Sequence, residues 1–239
     1  MPSSPSRQAR LEALFAKPFA HRGLHGGRVI ENSRAAFRAA IQAGHGIELD
    51  VQASADGEAI VFHDYELGRL TDGSGRLAEL SAEALGAIPL RGESAGLPIL
   101  REILDLIGGR APLLIEVKSP GRRVAALSGA VRRALAGYDG PVAVMSFNPS
   151  VPRWFAADAP EVLRGLVVTE EGRSERNRLK RRLSLMWSKA DFLAYDIRDL
   201  PSRFAAASGL PVATWTVRSE AQRATAAVHA DQIIYEVPA

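Results

Sequence analysis

Residues 53–59 read ASADGEA, and the fold of the whole chain turns on them. Asp56-Gly57 is a hairpin signal, and the stretch is too short for the crossover of roughly a dozen residues that parallel neighbours need. The next segment, AIVFHD (59–64), is therefore expected to fold back antiparallel on ELDVQ (48–52). Nine strand-like runs lie along the chain: PFAHR (18–22), GIELDV (46–51), AIVFH (59–63), PLLIEV (112–117), PVAVMSF (141–147), LRGLVV (163–168), FLAYDI (192–197), PVATWTV (211–217) and QIIYEV (232–237). Setting the hairpin strand aside leaves eight, alternating with Ala/Leu/Arg-rich stretches at helical spacing. That is the pattern of an α/β protein of the (β/α)8 TIM-barrel class. An open doubly wound sheet is the alternative, but no glycine-rich phosphate fingerprint follows the first strand.

Working outward, Ser33 to Ala43 reads as an amphipathic helix that Asn32 can cap and Gly44 can end. Residues 64–98 read as a small loop-rich insertion over the C-terminal mouth, with one short helix after Ser81. The stretch GRSERNRLKRRLSLMW (172–187) carries six basic residues against one acid. It reads as a solvated outer helix with Leu179, Leu183, Met186 and Trp187 buried along one stripe. Residues 1–17 are an N-terminal extension and 18–239 one barrel domain.

At 239 residues and 46% apolar content the chain can bury a full core. A net charge of +3 is too small to make nucleic acid or an anionic membrane the main partner, and oligomeric state is open. There is no cysteine, hence no disulfide, no thiolate nucleophile and no cysteine zinc site. The first 18 residues lack the roughly 7–15-residue apolar core of a signal peptide, and no later run approaches the ~18 apolar residues of a membrane span. The expectation is a cytoplasmic protein without stable membrane insertion.

In a barrel, polar residues at the C-terminal ends of strands point to a site. Glu48 and Asp50 alternate along one strand, so they share a face, and Glu116 and Lys118 repeat the pattern on another. An E-x-D or E-x-K pair alone is more often an ion-paired edge, but both lie in apolar runs whose burial would leave the charges uncompensated. Three carboxylates brought together need a cation, and an all-oxygen trio suits Mg2+ or Ca2+. His21 and His63 end strands beside Arg22 and Asp64, offering an acid and a base near neutral pH. His25, four residues on, could touch substrate, whereas His45 and His229 have weaker contexts. With Arg22 and Lys118 as anion contacts, phosphate ester hydrolysis fits best.

The motifs HRG (21–23), EN (31–32), IELDVQASADG (47–57), VFHD (61–64), RLTDGSG (69–75), LLIEVKS (113–119), SFN (146–148) and WTV (215–217) occur in this order. The chain so resembles the glycerophosphodiester phosphodiesterase family over nearly its whole length after residue 17. The resemblance implies a metal-dependent barrel enzyme converting small glycerophosphodiesters to glycerol 3-phosphate and an alcohol. It implies His21 and His63 as the catalytic pair, Glu48, Asp50 and Glu116 as metal ligands, and Arg22 and Lys118 on the phosphate. Glu31 would assist near the metal and Trp215 would line the apolar side of the pocket. Two departures stand out: Ile30 where many members have proline before Glu-Asn, and Tyr235-Glu236-Val237-Pro238 where Thr-Asp-x-Pro is common. Any role of that late carboxylate must pass to a longer side chain. The competing readings are a related phosphodiesterase acting on intact lipid, against which the lack of an exposed aromatic insertion counts, and a catalytically silent binding barrel.

Overall fold

A computed structural model describes residues 5–170 and 175–237, with side chains from residue 177 onward in the second stretch. Eight strands form a closed parallel barrel: β1 (Phe19–Ala20), β2 (Gly46–Ala53), β4 (Leu113–Val117), β5 (Val142–Ser146), β6 (Leu163–Val168), β7 (Phe192–Asp196), β8 (Val212–Val217) and β9 (Gln232–Tyr235). Closure rests on β1, whose two residues pair with β2 on one side and β9 on the other. The ninth strand, β3 (Ala59–Val61), runs antiparallel to β2, with Val51 opposite Val61 and Ala53 opposite Ala59. Its turn is the expected hairpin: Gly57 has φ +86°, and the Ser54 and Glu58 backbones bond across it at 3.0 Å.

Side chains that alternate inward fill the lumen. Phe19, Leu114, Met145, Val167 and Phe192 form one buried cluster with Leu11 and Leu14 of α1 (Arg7–Leu14). Gly165 is required there, because a Cβ would stand 2.4 Å from the Phe192 ring. The helix within the N-terminal extension thus closes the lower end of the barrel, leaving the C-terminal mouth for polar residues. A second cluster packs α2 (Arg34–Gln42), α4 (Leu100–Ile107), α5 (Ala125–Leu135) and α6 (Ser150–Asp158) on the outer faces of β2, β4 and β5.

The apolar side chains of the 64–98 excursion, including Leu67, Leu77, Leu85 and Leu97, cluster with Ile60 and Phe62 of the preceding segment. Ser81 caps its short helix α3 (Ala82–Gly86), accepting from the Ala84 N–H.

Two local expectations are corrected. Ser33, not Asn32, caps α2, accepting from Ala36 N–H. Asn32 is instead drawn inward by a buried carboxylate, because its side-chain amide can satisfy that group. The outer helix α7 (Glu175–Ser188) forms, but its apolar stripe faces outward: Leu179, Leu183, Met186 and Trp187 are 59, 55, 72 and 57% exposed. Its inner face is made by Ser188, which is fully buried, partly buried Leu185, and Arg181, whose guanidinium lies 5.9 Å from the Phe204 ring centroid of α8 (Arg203–Ser208). Arg173 of the basic run, like Pro238 of the late motif, lies outside the described residues.

Candidate active site

Glu48, Asp50 and Gln52 alternate along β2, and the pleat turns all three to one face. The register with β4 sets Asp50 opposite Glu116. One oxygen each of Glu48, Asp50 and Glu116 lies within 4.8 Å of the others. Lys118, two residues past Glu116, places Nζ 3.1 Å from Asp50 Oδ1 and 3.0 Å from Glu116 Oε1.

After β1 the chain turns through Arg22 and Gly23, at φ 56° and 80°. A Cβ on Gly23 would meet the Ala36 Cβ at 2.8 Å, so the turn packs on α2 only with glycine there. The turn directs the Arg22 backbone N–H to Glu48 Oε2 at 3.0 Å, Nη1 to Glu31 Oε1 at 2.7 Å, and Nε to within 3.4 Å of Asp50 Oδ2. That Nε is buried and makes no hydrogen bond, its contact with Asp50 being an ion pair.

Each of the two histidines has Nδ1 on a carboxylate. His21 Nδ1 is 2.5 Å from Glu236 Oε1, and its Nε2 is 3.9 Å from Glu48 Oε2. Arg218 donates from Nε and Nη2 to Glu236 at 2.6 and 3.0 Å. His63 Nδ1 is 2.7 Å from Asp64 Oδ1. Arg69 binds Asp64 and reaches across to Glu31, donating at 2.6 and 3.1 Å. Trp215 donates Nε1–H to the Ala194 carbonyl at 2.9 Å and meets the Phe147 ring edge-on at 5.5 Å.

Charge balance explains the titration of these groups. Burial, then the neighbouring Asp50 and Glu116 charges, push Glu48 well above the usual carboxylate range. Burial and Asp50 likewise raise Glu116, against the pull of Lys118. Burial acts upward on Asp50 too, but Lys118, Arg22, His63 and the Asn32 amide outweigh it and hold it low. Lys118 is raised, because Asp50 and Glu116 overcome its burial. Burial lowers both histidines, with Glu236 opposing this at His21 and Asp50 opposing it at His63. The Arg69 hydrogen bond brings Asp64 down to about 2.

Every residue singled out for the site is thus placed at one mouth, His25 included: one of its ring nitrogens, one of His21 and a carboxylate oxygen of Glu236 lie within 4.8 Å of one another. His45 is structural, with Nδ1 2.5 Å from the Tyr235 hydroxyl. Four supporting residues escaped the sequence reading. Asn32 donates to Asp50 Oδ2 at 2.9 Å. Gln52 Nε2 lies 3.0, 3.0 and 2.7 Å from the carbonyls of Phe62, His63 and Asp64, fastening the strand end that carries His63. Arg69 and Arg218 tie down the two histidine-bound carboxylates. Gln52 had a signal as the third polar residue in the E-x-D-x-Q alternation, and Asn32 and Arg69 lie in the quoted EN and RLTDGSG motifs, whereas Arg218 had none.

The three oxygen ligands fit a hard divalent cation. The cluster already accommodates two positive groups, the Lys118 ammonium and the Arg22 guanidinium. Glu48 is 1% exposed and accepts from the Arg22 backbone N–H, but the ionisable side chain within 4.0 Å of it is the His21 ring, whose pKa burial lowers, so its charge is poorly compensated.

A family model described as the glycerophosphoryl diester phosphodiesterase family matches residues 21–239. The chain is 34% identical over 158 residues to a glycerophosphodiester phosphodiesterase of Caldanaerobacter subterraneus subsp. tengcongensis, covering 62% of this chain and 65% of the relative. With a Bacillus altitudinis glycerophosphodiester phosphodiesterase it shares 35% over 115 residues, 44% of this chain and 45% of the relative. The chain thus spans less than two thirds of the length of these curated relatives. Among solved structures, an Oleispira antarctica phosphodiesterase in complex with the product sn-glycerol-3-phosphate superposes with TM-score 0.76 at 23% identity, over 94% of each chain, and shares the barrel fold.

Proposed function

The chain belongs to the glycerophosphoryl diester phosphodiesterase family, and from that premise we propose that it hydrolyses glycerophosphodiesters to glycerol 3-phosphate and an alcohol. The observation that carries this reading is the convergence at one barrel mouth of an all-oxygen trio, two carboxylate-tethered histidines and two cationic side chains. The product bound in the Oleispira relative is the phosphomonoester that such a site would release. We assign the reaction to one barrel domain over 18–239, in which the 64–98 excursion borders the mouth and selects the alcohol.

Glu48, Asp50 and Glu116 would hold Mg2+ or Ca2+. When bound, the ion would supply Lewis-acid stabilisation of charge on the phosphoryl group. Arg22 and Lys118 grip the phosphate oxygens, and Glu31 holds the Arg22 guanidinium toward them. Trp215 and Phe147 form the apolar wall. A histidine that donates Nδ1–H to a carboxylate presents Nε2 as the atom that can take up or give a proton. One histidine takes the proton of the glycerol 2-hydroxyl as that oxygen bonds to phosphorus. The other, protonated, gives a proton to the departing alcohol oxygen as its bond to phosphorus breaks. The roles then exchange as water opens the cyclic phosphate, which restores both histidines and yields glycerol 3-phosphate.

The internal hydroxyl is favoured over direct attack by water because it is already held beside phosphorus, at high effective concentration. A glycerophosphodiester with hydrogen in place of the 2-hydroxyl is expected to bind comparably as a competitive inhibitor and to turn over at least ~100-fold more slowly. Equal kcat for the deoxy analogue would show that water attacks directly.

Glu236 is a positioning residue for His21. Glu236→Gln is expected to lower kcat by about 10–100-fold. The Glu236 hydrogen bond raises the His21 pKa, so its loss lowers that pKa further and moves the acid limb of the rate profile to lower pH. A merely structural role would cost thermal stability and leave that limb in place.

Supplying glycerophosphocholine, intact phosphatidylcholine vesicles and no divalent ion in parallel tests the assignment. Turnover of the first, confined to metal-loaded samples, is expected. Turnover of the second alone would mean a lipase, and binding of the first without turnover would mean a silent barrel.

A further inference from the structure

Helix α7 is built inside out. On a 3.6-residue repeat, Leu179, Leu183, Met186 and Trp187 fall within an arc of about 100°, and all four are more than half exposed. Exposed Lys180 flanks the stripe on one side and exposed Arg182 on the other. Arg153 of α6 lies over the Trp187 ring, 5.1 Å from its centroid. No acid occurs in residues 177–188. An exposed contiguous apolar stripe of this kind marks an interaction surface.

Charge decides which partner it fits. A second copy of the chain docking through the same stripe would set Lys180, Arg182 and Arg153 against their own counterparts, a like-charge arrangement that self-complementary interfaces avoid. A surface that is apolar in depth and anionic at its rim satisfies both features: the four apolar side chains enter the acyl boundary, while the cations remain at the headgroups. The stripe also adjoins the mouth. Lys180 and Ser184 share with Phe147 a cavity of about 310 Å3 at the ends of β5 and β6, and Phe147 is itself 49% exposed and in contact with Trp215.

We propose that α7 docks the protein reversibly on anionic phospholipid surfaces through Leu179, Leu183, Met186 and Trp187, with Lys180 and Arg182 contacting the headgroups. The docking is peripheral, since among the described residues no helix is long and apolar enough to cross a membrane. It does not rest on the hydrolytic reading.

The test is co-sedimentation of the full chain with vesicles of phosphatidylcholine alone and with about one-third phosphatidylserine added, at low and physiological salt. At least ~10-fold stronger partition onto the anionic vesicles is expected, weakening with salt. Trp187 emission should shift to the blue on binding, and the shift should vanish in Trp187→Phe. Combining Leu179→Ser, Leu183→Ser, Met186→Ser and Trp187→Ser should reduce partition at least ~10-fold without lowering the thermal midpoint, because these side chains are solvent-facing. Lys180→Glu with Arg182→Glu should abolish the preference for anionic vesicles. No partition onto either vesicle would overturn the proposal, as would undiminished partition of the four-serine variant. A wild-type dimer that this variant converts to monomer, without vesicle binding, would assign the stripe to a second copy instead.

Discussion

His21→Ala and His63→Ala are each expected to lower kcat by ~10²–10⁴-fold with the fold intact, equivalent to roughly 2.7–5.4 kcal/mol of transition-state stabilisation. The size follows from what each ring does. Its Nδ1 is engaged by a carboxylate, Glu236 in one case and Asp64 in the other, so Nε2 is the atom left to move a proton. Alanine removes that atom without disturbing the barrel, since both residues lie beyond their strands on the mouth side. His45→Ala and His229→Ala are the controls. The first loses the Tyr235 hydroxyl contact and should cost stability while leaving turnover nearly unchanged; the second lies in the exposed last turn of α9 (Glu220–His229) and should do little. Measured kcat and thermal midpoints of the four variants check this. Near-normal turnover by His21→Ala would remove that ring from proton transfer. Burial lowers both histidine pKa values, so the acid limb of kcat/KM is expected below the ordinary histidine value, with activity falling as pH drops through it.

Chelation should abolish activity, and Mg2+ or Ca2+ should restore it. Glu48, Asp50 and Glu116 converge within 4.8 Å, and burial and mutual repulsion raise Glu48 and Glu116. A divalent ion relieves that repulsion and binds the folded site but not the open chain. It should therefore raise the thermal midpoint, adding about 2.7 kcal/mol of stability at a hundredfold excess over Kd. Because the raised carboxyls must release their protons to ligate, affinity should weaken as pH falls through their elevated pKa values. Calorimetric titrations in buffers of different ionisation heat should register proton release on binding. Glu48→Gln should weaken the ion's binding together with turnover. Full turnover by a metal-stripped sample in EDTA would contradict the assignment of the trio.

The carboxylate trio and the barrel were legible because strand alternation is a local rule. Glu48 with Asp50 and Glu116 with Lys118 share faces by parity alone, and Asp56-Gly57 dictates a hairpin wherever it lies between two strands. Partnerships across the sequence were not legible. Glu236 meets His21 from 215 positions away, and Asn32 turns from a helix cap to Asp50 only because β2 brings a buried carboxylate beside it. Periodicity located the apolar stripe of α7 but not its direction. A repeat fixes which residues share a face, whereas the face chosen for the core depends on what the neighbouring elements offer. Here Leu185 packs on β6 and β7, Arg181 meets α8 and Ser188 is buried, and the larger apolar residues are left in solvent.

The most direct test of the proposed reaction is product identification from sn-glycero-3-phosphocholine and the metal-loaded protein, with His21→Ala run alongside. Cleavage on the alcohol side of phosphorus should yield choline and glycerol 3-phosphate in equal amounts, the latter read by a dehydrogenase-coupled assay, and the variant should yield almost none. Release of phosphocholine and glycerol, or no release of either product pair by the wild type, would contradict the role given to this site.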